Sequence, residues 1–224
     1  MHTNTLKIIN KDHFRQNLNI YTRNAFFKLP KIDNPKILDV GCGTGVPTLE
    51  LARVSGGEIL ATDIDQDALD YLDEKIKSEK LEKQVKTLNC SLLDLDFPDE
   101  SFDIIWAEGS IFAIGFQKGL EDLRRLIKDN GFLVVHDPYQ KHVEKKDIIE
   151  KSGYRLLDSF MVHHRIWWSQ FLRPYEKHIK DLQEKYIDNP QVQQALEDEE
   201  NEIKMFKKDP ESFSSIFYVM KKKK

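Results

Sequence analysis

The stretch "KILDVGCGTGVPTLELA", residues 36–52, decides how the rest of the chain is read. A short apolar run carries one acid, Asp39, and gives way to three alternating glycines, Gly41, Gly43 and Gly45. A helix-patterned segment follows, with Pro47 near its start, where a proline is tolerated because its missing N–H has no partner there anyway. Glycines where a strand hands over to a helix let backbone amides approach a ligand closely, and in open α/β sheets ligands bind beyond the carboxyl ends of the strands. The loop therefore reads as a cofactor loop. Its spacing is G-x-G-x-G, with Val46 where a dinucleotide fold takes its third glycine, and no Gly-Lys-Ser/Thr follows as a phosphate loop requires. Asp39 would repel a pyrophosphate but suits an ammonium or sulfonium group.

Working outward, short apolar runs recur at 36–40, 58–64, 85–91, 102–108 and 131–137, separated by helix-periodic segments at 48–55, 66–80 and 118–130. The last of these helical segments is expected to stop at Asn130-Gly131, a C-cap signal. Such alternation predicts a parallel sheet covered by helices on both faces. The chain ends depart from it. Residues 10–29 carry an N-terminal helix, with Phe14, Leu18, Tyr21 and Ala25 along one face of its 13–29 stretch. After the fifth strand come a helix over about 141–152, a strand-like run at 154–166 and another at 213–222. Between those two runs, residues 167–210 read as a helical insertion of two helices broken at Asp188-Asn189-Pro190.

Composition narrows the function classes. At 224 residues, one domain over 1–224 with an insertion is expected rather than two equal domains. The formal net charge is −4, so no global basic field draws the chain to nucleic acid or an acidic membrane, and the terminal Lys221 to Lys224 run reads as a solvated tail. Cys42 and Cys90 form no CxxC pair, and the N-terminus has neither an apolar core nor a cleavage pattern of a leader. A cytoplasmic protein, monomeric or homodimeric, with no membrane segment, is the expectation.

A second acid extends the ligand argument. Asp63 ends the second strand-like run a little over twenty residues past Gly41, where a carboxylate can accept both hydroxyls of a ribose. A ribose together with a cationic part describes S-adenosylmethionine. The blocks "LDVGCGTG" (38–45), "ATDID" (61–65), "LDLDFPDESFDIIWAEGSI" (93–111) and "LRRLIKDNGFLVV" (123–135) together resemble the class I S-adenosylmethionine-dependent methyltransferases, especially the small-molecule type similar to the ubiquinone/menaquinone-biosynthesis enzymes. Four blocks in order are far more specific than a glycine loop alone.

The resemblance implies a Rossmann-like, seven-stranded, mostly parallel sheet whose last strand is antiparallel, with the insertion lying before that strand. It implies S-adenosylmethionine as cofactor, S-adenosylhomocysteine as product and a small-molecule acceptor. It assigns Asp39, Gly41, Gly43 and Gly45 to the methionine end, Asp63 to the ribose and Ile64 to the adenine face. Many relatives carry an aspartate where this chain has Ser91, so Ser91 or the backbone near Leu92 takes over the adenine contact. Glu108 falls where the family lines the meeting point of methyl group and acceptor.

Methyl transfer from a sulfonium asks the protein mainly to align the nucleophile, exclude water and, where needed, remove a proton. Glu108 and His136, with Asp137 and Tyr139 beside them, are the candidates at the carboxyl ends of strands four and five. The pair His163-His164 alternates across a strand and offers no metal-ligand spacing, so no metal site is expected. Trp167, Trp168, Phe171 and Tyr175 read either as an aromatic wall for the acceptor or as core. The insertion at 167–210 is expected to act as a lid over the acceptor site. The competing functions are a non-catalytic S-adenosylmethionine-binding module and, more distantly, an NAD-dependent oxidoreductase.

Overall fold

The computed structural model describes residues 3–224. Its central element is a seven-stranded sheet in the order β3-β2-β1-β4-β5-β7-β6. The strands are β1 (Lys36–Val40), β2 (Glu58–Asp63), β3 (Val85–Asn89), β4 (Phe102–Glu108), β5 (Ile127–Pro138), β6 (Tyr154–Val162) and β7 (Ser215–Lys222). Pairs among β1 to β5 are parallel, and β7 runs antiparallel to both β5 and β6. The expected fold class is thereby observed, including the antiparallel last strand.

Alternation along the strands splits the core into two layers. Ile37, Ile104, Trp106, Phe132, Val134, Phe217 and Val219 face one way. Leu38, Val40, Ile105, Ala107, Leu133, Val135, Tyr218 and Met220 face the other. The helices α4 (Val46–Ser55), α5 (Gln66–Glu79), α6 (Phe116–Arg124) and α7 (His142–Lys151) cover these faces. Local signals set their ends. Pro47 sits in the first turn of α4, the Asp65 side chain caps α5 by accepting from the Ala68 N–H at 3.2 Å, and Gly56 and Lys80 end α4 and α5 in left-handed conformations.

Several element boundaries differ from expectation, each for a local reason. The helix expected through 118–130 ends at Arg124, and 127–130 already belong to β5. Asn130 is left-handed, with φ 63°, in a bulge where β4 and β5 shift register, so the Asn-Gly pair bends a strand instead of capping a helix. The third strand stops at Asn89, which leaves Ser91 and Leu92 in the following loop. The strand expected at 154–166 stops at Val162, so His163 and His164 do not alternate across a strand. His163 instead accepts from the Arg165 N–H at 3.2 Å and opens the short helix α8 (His164–Ile166).

The N-terminal helix expected at 10–29 is in pieces, α2 (Lys11–Arg15), a 3-10 turn (Gln16–Leu18) and α3 (Asn19–Phe27), and is preceded by a further helix, α1 (Thr3–Ile9). Asn10, left-handed at φ 49°, makes the first break. The insertion comprises a π-helical stretch (Trp167–Leu172), α9 (Arg173–Lys185) and α10 (Pro190–Lys208). Its two long helices part before Asn189, whose side chain accepts from the Val192 N–H at 3.1 Å while Pro190 starts the next helix. Insertion and N-terminal segment share a third apolar cluster that includes Ile9, Leu18, Phe171, Tyr175, Leu196 and Phe206. They form one layer, which touches the sheet through Arg15 at Glu108 and Trp167 at Ser215. Among the described residues, no helix is long and apolar enough to cross a membrane.

Candidate functional site

The loop after β1 is built by its glycines, but they do different jobs. Gly41, at φ 67°, lies so close to Ser110 that a Cβ there would sit 2.4 Å from the serine Cβ. Gly45, at φ 80°, would place one 2.2 Å from Leu72. These two let the loop pack. Gly43, at φ 52°, would point a Cβ into open space, with nothing within 4 Å. Only the middle glycine faces a vacant approach.

Two strand-end carboxylates flank this loop. Asp63 accepts the Gly43 N–H at 2.7 Å through one oxygen and the Asp65 N–H at 2.9 Å through the other, so it fixes both the loop and the turn into α5. Asp39 is buried, 2% exposed, and accepts the Thr48 hydroxyl at 2.6 Å. Burial pushes its carboxyl up to about 7, against the pull of the Thr48 bond, and the charges of Glu108 and Asp63 push the same way. A buried acid with negative neighbours is stabilised as a carboxylate by a cation brought beside it. Ser110 Oγ, next to Gly41, is buried with no hydrogen-bond partner among the described residues.

The loop after β3 lies beside the end of β2. Cys90 N–H donates to the Asp63 carbonyl at 3.1 Å and the Asn89 side chain to the Ile64 carbonyl at 3.1 Å, which holds this loop beside Ile64. Ile64 is 72% exposed, an apolar face without a protein partner of matching size. The Ser91 hydroxyl is occupied by the Leu93 N–H at 3.1 Å, and Leu92 packs at the edge of a core cluster. Asp39, the glycines, Asp63, Ile64, Ser91 and Leu92 thus lie in or just after the carboxyl ends of β1, β2 and β3.

Beyond β4 the site changes character. Glu108, His136, Phe217 and Phe160 are register partners across β4, β5, β7 and β6, so they form one row on the same face. His136 stacks on Phe217 with ring centres 4.0 Å apart, and Phe217 on Phe160 at 5.1 Å. Glu108 is nearly closed off from solvent, its side chain 4% exposed. It accepts the Thr22 hydroxyl at 2.9 Å and the Trp106 indole N–H at 3.2 Å, and stands 3.6 Å from both His136 Nδ1 and Arg15. Burial alone would raise its carboxyl, but the hydrogen bond and charge of His136, then Arg15, then Trp106 outweigh it and hold Glu108 below the ordinary glutamate value. At neutral pH it is a fixed anion.

His136 is oriented from its far side. Ser215 Oγ lies 2.7 Å from His136 Nε2 and accepts the Trp167 indole N–H at 3.0 Å. An indole nitrogen can only donate, so Ser215 Oγ accepts from Trp167 and its own hydrogen is not used in that bond. Trp167 in turn lies under the Arg15 guanidinium, 4.5 Å from its ring centre. Arg15, Glu108, His136, Ser215 and Trp167 therefore close a ring of contacts from the N-terminal segment through the sheet to the insertion.

Other candidates fall elsewhere. Asp137 points to the opposite face of the sheet, where it is buried and ion-paired with Lys145, so it is not part of this cluster. Tyr139 stacks on His142 at 4.9 Å. Phe171 and Tyr175 are core, Trp168 stacks on Phe206 at 5.4 Å, and Trp167 alone of the four aromatics stacks with His136, at 6.0 Å. Arg15, Thr22, Thr48, Ser110 and Ser215 were invisible to sequence reasoning. Of these only Thr48, on the first turn after the glycines, had a local signal.

The seven-stranded fold is one shared with solved methyltransferase structures. Residues 37–131 match a family described as "Methyltransferase domain". The chain is 30% identical over 117 residues to "Methyltransferase GfsG" of Streptomyces halstedii, covering 52% of this chain and 42% of that protein. It is 32% identical over 120 residues to a demethylmenaquinone methyltransferase of Lactobacillus johnsonii, covering 49% of this chain and 46% of the relative. The matched stretch is thus less than half of either relative. Among solved structures, the [4+2]-cyclase SpnF superposes with a TM-score of 0.77 at 18% identity, covering 92% of this chain and 80% of that one. A "putative sarcosine dimethylglycine methyltransferase" from Galdieria sulphuraria superposes with a TM-score of 0.66 at 15% identity, covering 92% and 85%. Those likenesses concern the fold.

Proposed function

We propose that this chain transfers a methyl group from S-adenosylmethionine to a small-molecule acceptor, releasing S-adenosylhomocysteine. The observation that carries the proposal is the cradle at Gly43, open to solvent between the Asp63 carboxylate and the buried Asp39. The methionine end would rest on Asp39, Gly41, Gly43 and Gly45, the ribose on Asp63, and the adenine between Ile64 and the backbone at Ser91 and Leu92. The bound cofactor supplies a methyl group already activated by a sulfonium. The protein's share is then to position the nucleophile and exclude water. Glu108 and His136, with no free route to bulk water for the carboxylate, are proposed as the groups that orient the acceptor.

The layer formed by 10–29 and the insertion at 167–210 is proposed as the cover of that site. The Arg15 and Trp167 contacts support it, because each brings one of the two segments to the Glu108 and His136 cluster. A small acceptor and a cytoplasmic, monomeric or homodimeric protein are part of the reading. It is supported by the near balance of charge and by Cys42 and Cys90, both free. A second reading, a cofactor-holding domain that does not methylate, is favoured by one finding: SpnF, a cyclase, shares this fold.

Incubation with S-adenosylmethionine labelled in its methyl group and a metabolite extract, followed by mass spectrometry, tests both. Label in an extract compound, with matching S-adenosylhomocysteine, is the expected result. Tight cofactor binding with no turnover in any extract would favour the second reading.

A further inference from the structure

The ring of contacts around Glu108 contains a cation held in a place built for one. The Arg15 guanidinium lies between the Glu108 carboxylate, at 3.6 Å, and the face of Trp167, at 4.5 Å. A carboxylate on one side and an indole face on the other is a setting in which proteins recognise ammonium-type ligands. Arg15 comes from the end of a short helix, α2, and keeps 24% of its side chain exposed, so a swing of one side chain empties the slot. Burial lowers its pKa while Glu108, Glu202 and Asp12 oppose that, so the fixed charges around it are acidic.

The rest of the slot is rigid. Glu108 is locked by Thr22 and Trp106, and Trp167 by its bond to Ser215 at the head of a π-helical stretch. Such stretches are rare and cluster at functional sites. An anionic acceptor would meet the Glu108 carboxylate here, and a neutral one would offer that carboxylate nothing in place of the Arg15 charge once Arg15 moved.

We infer that the acceptor presents a cationic nitrogen group, an ammonium or an amidinium, to the slot between Glu108 and Trp167, which the Arg15 guanidinium occupies until the acceptor displaces it. This rests on the methyl-transfer reading, since it names the acceptor class of the same site. It concerns recognition and leaves the nucleophilic atom unassigned.

The test uses Arg15→Ala loaded with S-adenosylhomocysteine, with ethylguanidinium chloride as probe and ethylurea, sodium acetate and sodium chloride as controls at equal ionic strength. Ethylguanidinium is expected to raise the melting temperature of the variant and bind it at millimolar concentration, while the controls do neither. Adding Glu108→Gln should weaken that binding by at least about tenfold. Absence of ethylguanidinium binding, equal binding of acetate, or indifference to Glu108→Gln would overturn the inference. Should Arg15→Ala fail to fold, Arg15→Met keeps the aliphatic stem and serves the same comparison. In wild type, a titration with tetramethylammonium should shift the Trp167 indole N–H resonance, assigned with Trp167→Phe, and an unmoved resonance counts against the slot. Calorimetry with S-adenosylmethionine on the same samples separates the two levels. Loss of cofactor binding sinks the methyl-transfer reading, whereas intact cofactor binding without ethylguanidinium binding sinks only the cation slot.

Discussion

The two ends of the site are made in opposite ways. The glycine-loop end is built from backbone and two carboxylates drawn from residues 39–63, and it stands open at Gly43. The Glu108 end is built from side chains contributed by residues as far apart as Arg15 and Ser215, and it is closed by its own contacts. A ligand common to many enzymes can be met by a short, local, backbone-lined cradle. A ligand peculiar to one enzyme needs side chains, and those come from whichever segments the fold brings together.

The largest effect should separate two glycines within the open end. Gly41→Val places its Cβ against Ser110 and should abolish folding, read as loss of soluble protein and of the circular dichroism of the native state. Gly43→Val has room and should keep the fold, at about 1–2 kcal/mol for a side chain in left-handed backbone, while losing S-adenosylmethionine binding. Unchanged affinity in calorimetry for Gly43→Val would falsify the cradle assignment.

Asp63→Ala comes next. Its affinity for S-adenosylmethionine and for S-adenosylhomocysteine should fall together by roughly 1.5–3 kcal/mol, the range for charge-assisted hydrogen bonds. A loss confined to one of the two ligands would contradict a ribose role.

Asp39 sharpens the contrast by pH. Its folded-state value of about 7 lies above the unfolded 3.8, so the folded chain holds a proton that the unfolded chain releases over this window. Stability of the unliganded protein should therefore decline as pH rises from about 4 towards about 7. Cofactor affinity should move the other way, because a cation prefers the ionised carboxylate. It should rise by up to about tenfold per pH unit below pH 7 and level off above. Asp39→Asn should flatten both profiles, and unaltered slopes in thermal and calorimetric titrations would remove Asp39 from the cofactor site.

The smallest effect belongs to the closed end. Thr22→Val removes one donor from Glu108 and should cost about 1 kcal/mol of stability. Cofactor affinity should stay the same, since Thr22 touches only the acceptor end. A drop in affinity equal to that of Asp63→Ala would show that the two ends are not separable. Deleting the insertion is a poor test by comparison, because it would strip Ile9 and Leu18 of their shared core with Phe171 and Leu196.

What could be read without coordinates follows the same division. The strand-glycine-helix handover at 36–52, the acid at Asp63, the alternation of strands and helices and the break at Asn189-Pro190 are all short-range patterns, and all appear in the structure. Where local signals were ambiguous, packing decided. Asn130-Gly131 carries a helix-cap signal, but pairing of β5 with β4 places it in a strand bulge. The run at 154–166 ends in Ile166, past Val162, but the chain must leave the sheet there to begin the insertion, so His163 became a helix cap.

Sequence alone determined the loop and its acids, because backbone conformation and charge at a strand end depend on neighbours a few residues away. Tertiary structure alone decided the rest. It chose the strand order, placed Asp137 on the far face with Lys145, and selected Trp167 rather than Trp168, Phe171 or Tyr175 to reach the site. It also brought Arg15 and Ser215 to Glu108 and His136. Those contacts join residues far apart in the chain, and no spacing rule connects positions whose only relation is that two folded layers press them together.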